Sequence, residues 1–149
     1  MSKRFAELTT TELYALLRLR CEVFVVEQDC AYADLDGRDT EPGTVHHWIT
    51  DGDEAHGMAC GEVSAYLRAL AEPDGTTRVG RVVTAPAARG RGMAARLVEH
   101  VGSVVAGPIV LDAQSHLVGW YEQLGYVVDG DEFVEDGIPH IPMRRARRA

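Results

Sequence analysis

Val79-Gly80-Arg81-Val82-Val83-Thr84, and then Arg89-Gly90-Arg91-Gly92-Met93-Ala94, follow one another as a mostly apolar strand, a glycine turn and the start of a helix read from Met93 to Val101. A helix start carries free backbone N–H groups and a partial positive charge, and glycines let an anion come close to the main chain. From Gly75 to Val98 the chain holds Arg78, Arg81, Arg89, Arg91 and Arg96 but no Asp or Glu, although its formal net charge is -8. The segment reads as a cradle for a pyrophosphate.

The absent residues narrow the ligand. No Gly-Lys-Ser/Thr follows the glycines, and the three-glycine dinucleotide fingerprint with its downstream acidic residue is missing, so neither a P-loop nor a dinucleotide site is indicated. Further on, Ile109-Val110-Leu111 follows Gly107-Pro108 as a short apolar run, which suits a buried parallel strand. Leu117, Trp120, Tyr121 and Leu124 then fall on one face of a helix that Gly125 stops.

The order Arg-x-x-Gly-x-Ala at Arg89 to Ala94, with Pro86 just before it, resembles the acyl-CoA-binding signature of the GNAT superfamily of N-acetyltransferases. Trp120-Tyr121-Glu122-Gln123-Leu124-Gly125-Tyr126 is similar to the aromatic-Tyr-x-x-Leu-Gly-Phe/Tyr block that closes the core of that fold. Leu13 to Gln28, Asp34-Leu35-Asp36-Gly37, His46-His47 and Glu135 to Ile141 resemble its ElaA branch, so nearly the whole chain is covered.

The resemblance implies an α/β fold with a mixed central sheet, helices on both faces, and two parallel strands, Arg81 to Thr84 and Ile109 to Ala113, that splay apart. It implies acetyl-CoA as cosubstrate and an amine as acceptor. Val82, Val83 and Thr84 would hold the pantetheine arm through main-chain atoms, and a backbone N–H there would polarise the acetyl carbonyl. Arg89, Gly90, Arg91, Gly92, Met93 and Ala94 would cradle the pyrophosphate, with Gln114 counted among the cofactor-binding residues. Tyr121 matches the tyrosine that protonates the leaving thiolate. For a base, His140, flanked by Pro139 and Ile141-Pro142, and Glu27 are candidates, while His46 and His47 lie on opposite faces of one strand.

Length and composition bound the rest. A chain of 149 residues with 46% hydrophobic content suits one domain, residues 1–149, with 143–149 read as a basic tail. The absence of a long apolar stretch or a signal-like start indicates a cytoplasmic protein with no membrane partner, and no metal site is expected. Cys21, Cys30 and Cys60 are odd in number and lack ligand-like spacing, which points to free thiols. Cys21 shares helical spacing with Leu13, Leu17 and Phe24 and reads as a core residue, leaving Cys30 as the more exposed thiol. Outside the arginine island and the tail, six basic residues face 23 acidic ones, which disfavours nucleic acid. Two acidic groups, Asp34, Asp36, Asp39 and Glu41, and Asp129, Asp131, Glu132, Glu135 and Asp136, would steer a cationic acceptor toward the cleft. A homodimer is compatible with this reading. A catalytically silent CoA-binding module and an acyl-homoserine-lactone-synthase-like acyltransferase stand as alternatives.

Overall fold

Thr9 and Glu12 open the first helix as a reciprocal capping box. The Thr9 hydroxyl accepts from the Glu12 N–H (3.1 Å), and the Glu12 carboxylate accepts from the Thr9 N–H (3.0 Å). Helix α1 spans Thr10–Arg20 and passes without a break into a wider π-helical segment, Cys21–Glu27. The computed structural model describes residues 1–51 and 62–146.

The buried stripe of this helix is Leu16, Leu19, Arg20 and Val23, not the expected row through Leu13, Leu17 and Cys21. Cys21 is exposed, and Cys30 is the half-buried thiol. The reversal has a physical cause: the true stripe contains an arginine, which an apolar-periodicity argument passes over, and the burial of Arg20 depends on partners distant in sequence.

The strands are β1 (Ser2–Arg4), β2 (Val45–Asp51), β3 (Glu62–Ala71), β4 (Thr77–Thr84), β5 (Ile109–Gln114), β6 (Val127–Val128), β7 (Phe133–Glu135) and β8 (Ile138–Arg145). They form one mixed sheet in the order β1-β2-β3-β4-β5-β8-β6, with β7 also paired to β8. β4 and β5 run parallel, while the other described pairs are antiparallel. On one face lie α2 (Met93–Val104) and α3 (Val118–Gln123); Leu97, Val98, Val101 and Tyr121 pack there against Leu67, Val79, Leu111 and Met143. On the other face, Leu16, Leu19 and Val23 of α1 and its extension pack against Trp48, Tyr66 and Val83. The expected GNAT architecture, a mixed sheet with helices on both faces, is the one observed.

Several boundaries differ from the sequence reading. The sequence reads a strand from Gly57 to Leu67, whereas β3 runs four residues further, to Ala71; β1 is not anticipated at all, because Ser2-Lys3-Arg4 has no strand-like side chains. The sequence also reads Asp51-Gly52-Asp53 as the turn joining that strand to one at Val45 to Thr50; beyond Asp51, the turn and the strand start at Gly57 lie outside the described residues. From sequence, Pro139 and Pro142 restrict the last strand to an edge or a bulged position, yet β8 is internal, between β5 and the β6/β7 pair. A residue's N–H and C=O point to the same side of a strand, and the Pro142 carbonyl accepts outward from the Asp129 N–H (2.8 Å). Its missing N–H therefore removes no bond to β5, and Pro139 lies beyond the β5 register, which ends at Gln114 opposite His140. The tail boundary also shifts: residues 143–145 belong to β8, Met143 is buried, and the Arg145 guanidinium lies so close to Gly102 that a Cβ there would collide with it.

Candidate active site

The parallel pair β4–β5 holds only at Thr77 opposite Ile109 and Arg78 opposite Val110. Past Arg78 the strands part, and β4 continues to Thr84 with no partner on that side among the described residues. A cleft of about 490 Å³ occupies this region on the α1 face. Its floor includes Arg68, Arg78 and Gly80, yet it also reaches Tyr121, which packs in the core of the opposite face. The gap between β4 and β5 gives that passage.

β4 is kinked beside the gap. Tyr66 pairs with Val83 and Arg68 with Gly80, so Leu67 alone faces both Arg81 and Val82, which is a β-bulge. Arg81 has φ +53, a left-handed conformation that costs about 1–2 kcal/mol for a residue with a Cβ. Its side chain is held: Nε lies 2.9 Å from Asp34 Oδ1, one Nη donates to the Asp34 carbonyl (3.2 Å), and the guanidinium lies over the Tyr32 ring at 5.3 Å.

This pair is one corner of a larger cluster that the sequence did not reveal. Arg20 donates from Nε to Asp34 (3.0 Å), from Nη1 to Asp39 (2.7 Å) and from Nη2 to the Asp34 carbonyl (2.9 Å), while Arg68 reaches Asp36 (2.8 Å) and Asp39 (3.1 Å). Three arginines from α1, β3 and β4 thus meet three aspartates of the 34–39 connection. The Arg68 hydrogen bond holds Asp36 well below the usual carboxylate range; at Asp39 burial pushes the other way, and the hydrogen bonds and charges of Arg20 and Arg68 together outweigh it. Glu41 is paired with Arg38 (3.0 Å). The expectation that Asp34, Asp36, Asp39 and Glu41 project a free negative field is therefore corrected, because all four are neutralised within the wall they build. Arg20 in an otherwise apolar stripe was the one sequence signal of this cluster.

In the cradle, Gly90 and Gly92 have φ +81 and +71, and nothing lies within 4 Å of where their Cβ atoms would be. Gly92 caps α2, whose first intrahelical bond runs from the Arg96 N–H to the Gly92 carbonyl (3.1 Å). The N–H groups of Met93 and Ala94 therefore belong to the free first turn. The open space and exposed amides fit a phosphate ligand. The Arg89 side chain is turned elsewhere: Nη1 and Nη2 meet the two Glu27 oxygens at 2.6 and 2.8 Å, and Nε approaches the Thr84 carbonyl (3.4 Å). Arg91 donates to the Ala87 carbonyl (3.3 Å). The hydrogen bond from Arg89 holds Glu27 below its ordinary pKa, so Glu27 is an ion-pair anchor and a poor proton acceptor.

The remaining candidates separate cleanly. Tyr121 lies edge-on to Trp120 and Tyr126 (ring centroids 4.8 and 5.9 Å), and burial, then the neighbouring Tyr126, raises its pKa, so its hydroxyl stays protonated. Among the described residues that hydroxyl has no hydrogen-bond partner. Gln114 and His140, opposite each other on β5 and β8, line the same cleft as Tyr121. The His140 ring stacks on Phe133 (5.7 Å), and Nδ1 must donate to the Ile138 carbonyl (2.8 Å), leaving Nε2 as the acceptor nitrogen. Val82 lines the cleft, whereas the Val83 side chain is buried against α1, so a ligand in the gap would meet only Val83 main chain. His46 bonds Tyr66 and the Asp39 carbonyl on one face, and His47 bonds Ser2 and lies against His100 on the other; neither lines the cleft. Glu135 and Asp136 stand on the cleft rim with no ion-pair partner among the described residues.

Residues 20–147 match the family described as an acetyltransferase (GNAT) domain. A UPF0039 protein of Mycobacterium tuberculosis is 46% identical over 143 residues, covering 93% of this chain and 87% of that one. Protein ElaA of Escherichia coli is 38% identical over 149 residues, covering 94% and 91%; its crystal structure superposes with a TM-score of 0.84 over 97% of both chains. The crystal structure of an acyl-CoA N-acyltransferase from Pseudomonas aeruginosa gives a TM-score of 0.83 at 40% identity over 98% of both chains. The splayed β4–β5 pair, the glycine cap of α2 and these similarities lead to one conclusion: the chain belongs to the GNAT acetyltransferase family, alongside ElaA and the UPF0039 proteins.

Proposed function

We propose that this protein transfers an acetyl group from acetyl-CoA to an amine, and that the amine is carried on a cationic small molecule or peptide. The observation that carries the reading is the cleft that passes between β4 and β5, so that Val79 to Val82 of β4, Tyr121 and His140 all line one space. The glycine-capped start of α2 supports a pyrophosphate at the end of β4. The comparison with an acyl-CoA N-acyltransferase from Pseudomonas aeruginosa points the same way.

In the reaction, the amine nitrogen bonds to the thioester carbonyl carbon, the C–S bond breaks, and the amine gives up a proton while the sulfur gains one. The amine must first be neutral, and a Lys-like ammonium with pKa ~10.4 costs roughly 5 kcal/mol to deprotonate at neutral pH. His140 Nε2 accepts that proton. β4 main-chain N–H groups face the carbonyl oxygen as it gains negative charge. Tyr121 donates to the sulfur. Burial makes Tyr121 a weaker acid, but the same dry surroundings make a departing thiolate a stronger base, so the two shifts offset each other. On the acceptor side, the attraction for a cation comes from Glu135 and Asp136 at the β7–β8 turn, since the 34–41 connection is internally neutralised.

The test is calorimetry with acetyl-CoA, CoA and pantetheine, followed by a thiol-release screen of polyamines, basic peptides and acidic amines. Acetyl-CoA and CoA are expected to bind and pantetheine far more weakly, with a cationic amine as the best acceptor. No CoA binding at millimolar concentration would sink the reading, and an anionic best acceptor would remove the role of the rim.

A further inference from the structure

Arg81 combines three features found together at no other described residue. It occupies a left-handed conformation inside a strand, it stands in the bulge where β4 leaves the ladder, and its guanidinium is fixed by groups from another segment. A bulge that needs positive φ is normally met by glycine, and Gly80 is the immediate neighbour, so a glycine one position along was within reach of the chain. What arginine adds is the side chain. Its Nε is 2.9 Å from Asp34 Oδ1, its Nη2 donates to the Asp34 carbonyl at 3.2 Å and approaches Asp36 Oδ2 at 3.5 Å, and Tyr32, bonded to the same Asp34 carboxylate (2.7 Å), lies under the guanidinium.

Asp34 and Asp36 are themselves anchored, to Arg20 on α1 and Arg68 on β3. The clamp therefore refers the kink in β4 to two other elements of the fold. Arg81 and Val82 face a single residue of β3, and β5 has already diverged at this level. On the β5 side the main-chain groups there have no strand partner among the described residues, and the kink sets their direction.

We propose that Arg81 is a positioning residue: its guanidinium, held by Asp34 and Asp36, fixes the left-handed kink that aims the Arg81–Val82 main chain at the acyl carbonyl in the gap between β4 and β5. This rests on the acetyl-CoA reading. It assigns the arginine no contact with the ligand, and it makes the 28–41 connection part of the apparatus that orients the donor, as well as a wall of the acceptor side. A misaligned donor of this kind lowers turnover without loosening the distant phosphate contacts.

The deciding readout needs no acceptor. Acetyl-CoA labelled with ¹³C at the thioester carbonyl is bound to the wild-type protein and to Arg81→Met, and its carbonyl stretch is read by isotope-edited infrared spectroscopy. In the wild type, hydrogen bonding moves the band to lower frequency than in solution. In Arg81→Met most of that shift is lost while the dissociation constant for acetyl-CoA changes by less than about 3-fold, and kcat with whichever amine is turned over falls about 10- to 100-fold. A role in stability alone would lower the melting temperature and leave the band of the bound ligand where it was, which overturns the proposal. Should Arg81→Met fail to fold, Arg81→Lys keeps the charge with a single donating centre in place of the fork and shows a partial loss; a full wild-type shift in that variant likewise overturns it. Binding of acetyl-CoA to the wild type without any shift refutes this inference alone, whereas absence of binding refutes the acetyl-CoA reading beneath it.

Discussion

Tyr121 and His47 are both buried and both have displaced pKa values, yet they make opposite predictions because one borders the cleft and the other does not. For Tyr121→Phe, the edge-on packing with Trp120 and Tyr126 is retained and only the donor is lost, so CoA affinity should persist while kcat falls roughly 10- to 1000-fold. Full turnover at saturating cofactor would remove the hydroxyl from the acid role. Burial, followed by the neighbouring His100, lowers His47 to about 4 from an ordinary value of 6.5. Between those values the unfolded chain binds a proton that the folded one refuses, so stability is complete above about pH 6.5 and declines as pH falls toward 4. The expected loss from pH 7 to pH 5 is about 2 kcal/mol, read by urea unfolding and largely abolished in His47→Asn, with activity at pH 7 unchanged. Equal pH dependence in the variant would contradict the assignment.

The glycine turn shows how much an element can disclose when its chemistry is local. Gly90 and Gly92 were legible because only glycine relieves a positive φ, and the observed angles are positive at both; Gly125, at φ +89, ends α3 for the same reason. Gly92→Val meets no clash, since nothing lies within 4 Å, and its effect is conformational: a β-branched residue at φ +71 rotates the cap of α2 and puts methyl groups into the space a phosphate would use. A loss of at least 10-fold in CoA affinity is expected, with at least about 1 kcal/mol of stability, and calorimetry beside thermal unfolding measures both. Unchanged affinity would mean that the phosphates bind elsewhere. By contrast, the Arg20–Asp34–Asp39–Arg68 cluster left almost no trace in the sequence, because its partners are brought together by three separate elements and charged residues read locally as solvated surface. The internal place of β8 was hidden similarly, since the harmlessness of Pro142 depends on which side its carbonyl faces.

At the scale of the whole molecule, the -8 net charge does not translate into a negative cleft. Four carboxylates of the 34–41 connection are matched by arginines, and Glu72 and Asp112 are bridged by Arg78 across the closed end of the β4–β5 gap (3.2 and 3.1 Å). Of the acidic residues that line the cleft, Glu135 and Asp136 at the β7–β8 turn are those with no ion-pair partner among the described residues. Replacing Glu135 by Gln and Asp136 by Asn should raise the Michaelis constant of a cationic amine several-fold and flatten its dependence on ionic strength, leaving CoA binding intact. A double variant with the wild-type salt profile would show that the turn does not steer.

β4 carries a further consequence for the protein when nothing is bound. All of it past Arg78, from Val79 to Thr84, is a strand whose second side has no partner among the described residues, although it lies in the middle of the sheet. Amide protons on that side should trade with deuterated solvent far sooner than those of β3, which is paired on both sides, giving a central sheet with a seam of fast exchange where slow exchange is the rule. An extended ligand arm entering the seam would act as the missing strand and close it to deuterium. The seam would then report occupancy along the donor site one peptide at a time, before any product is formed.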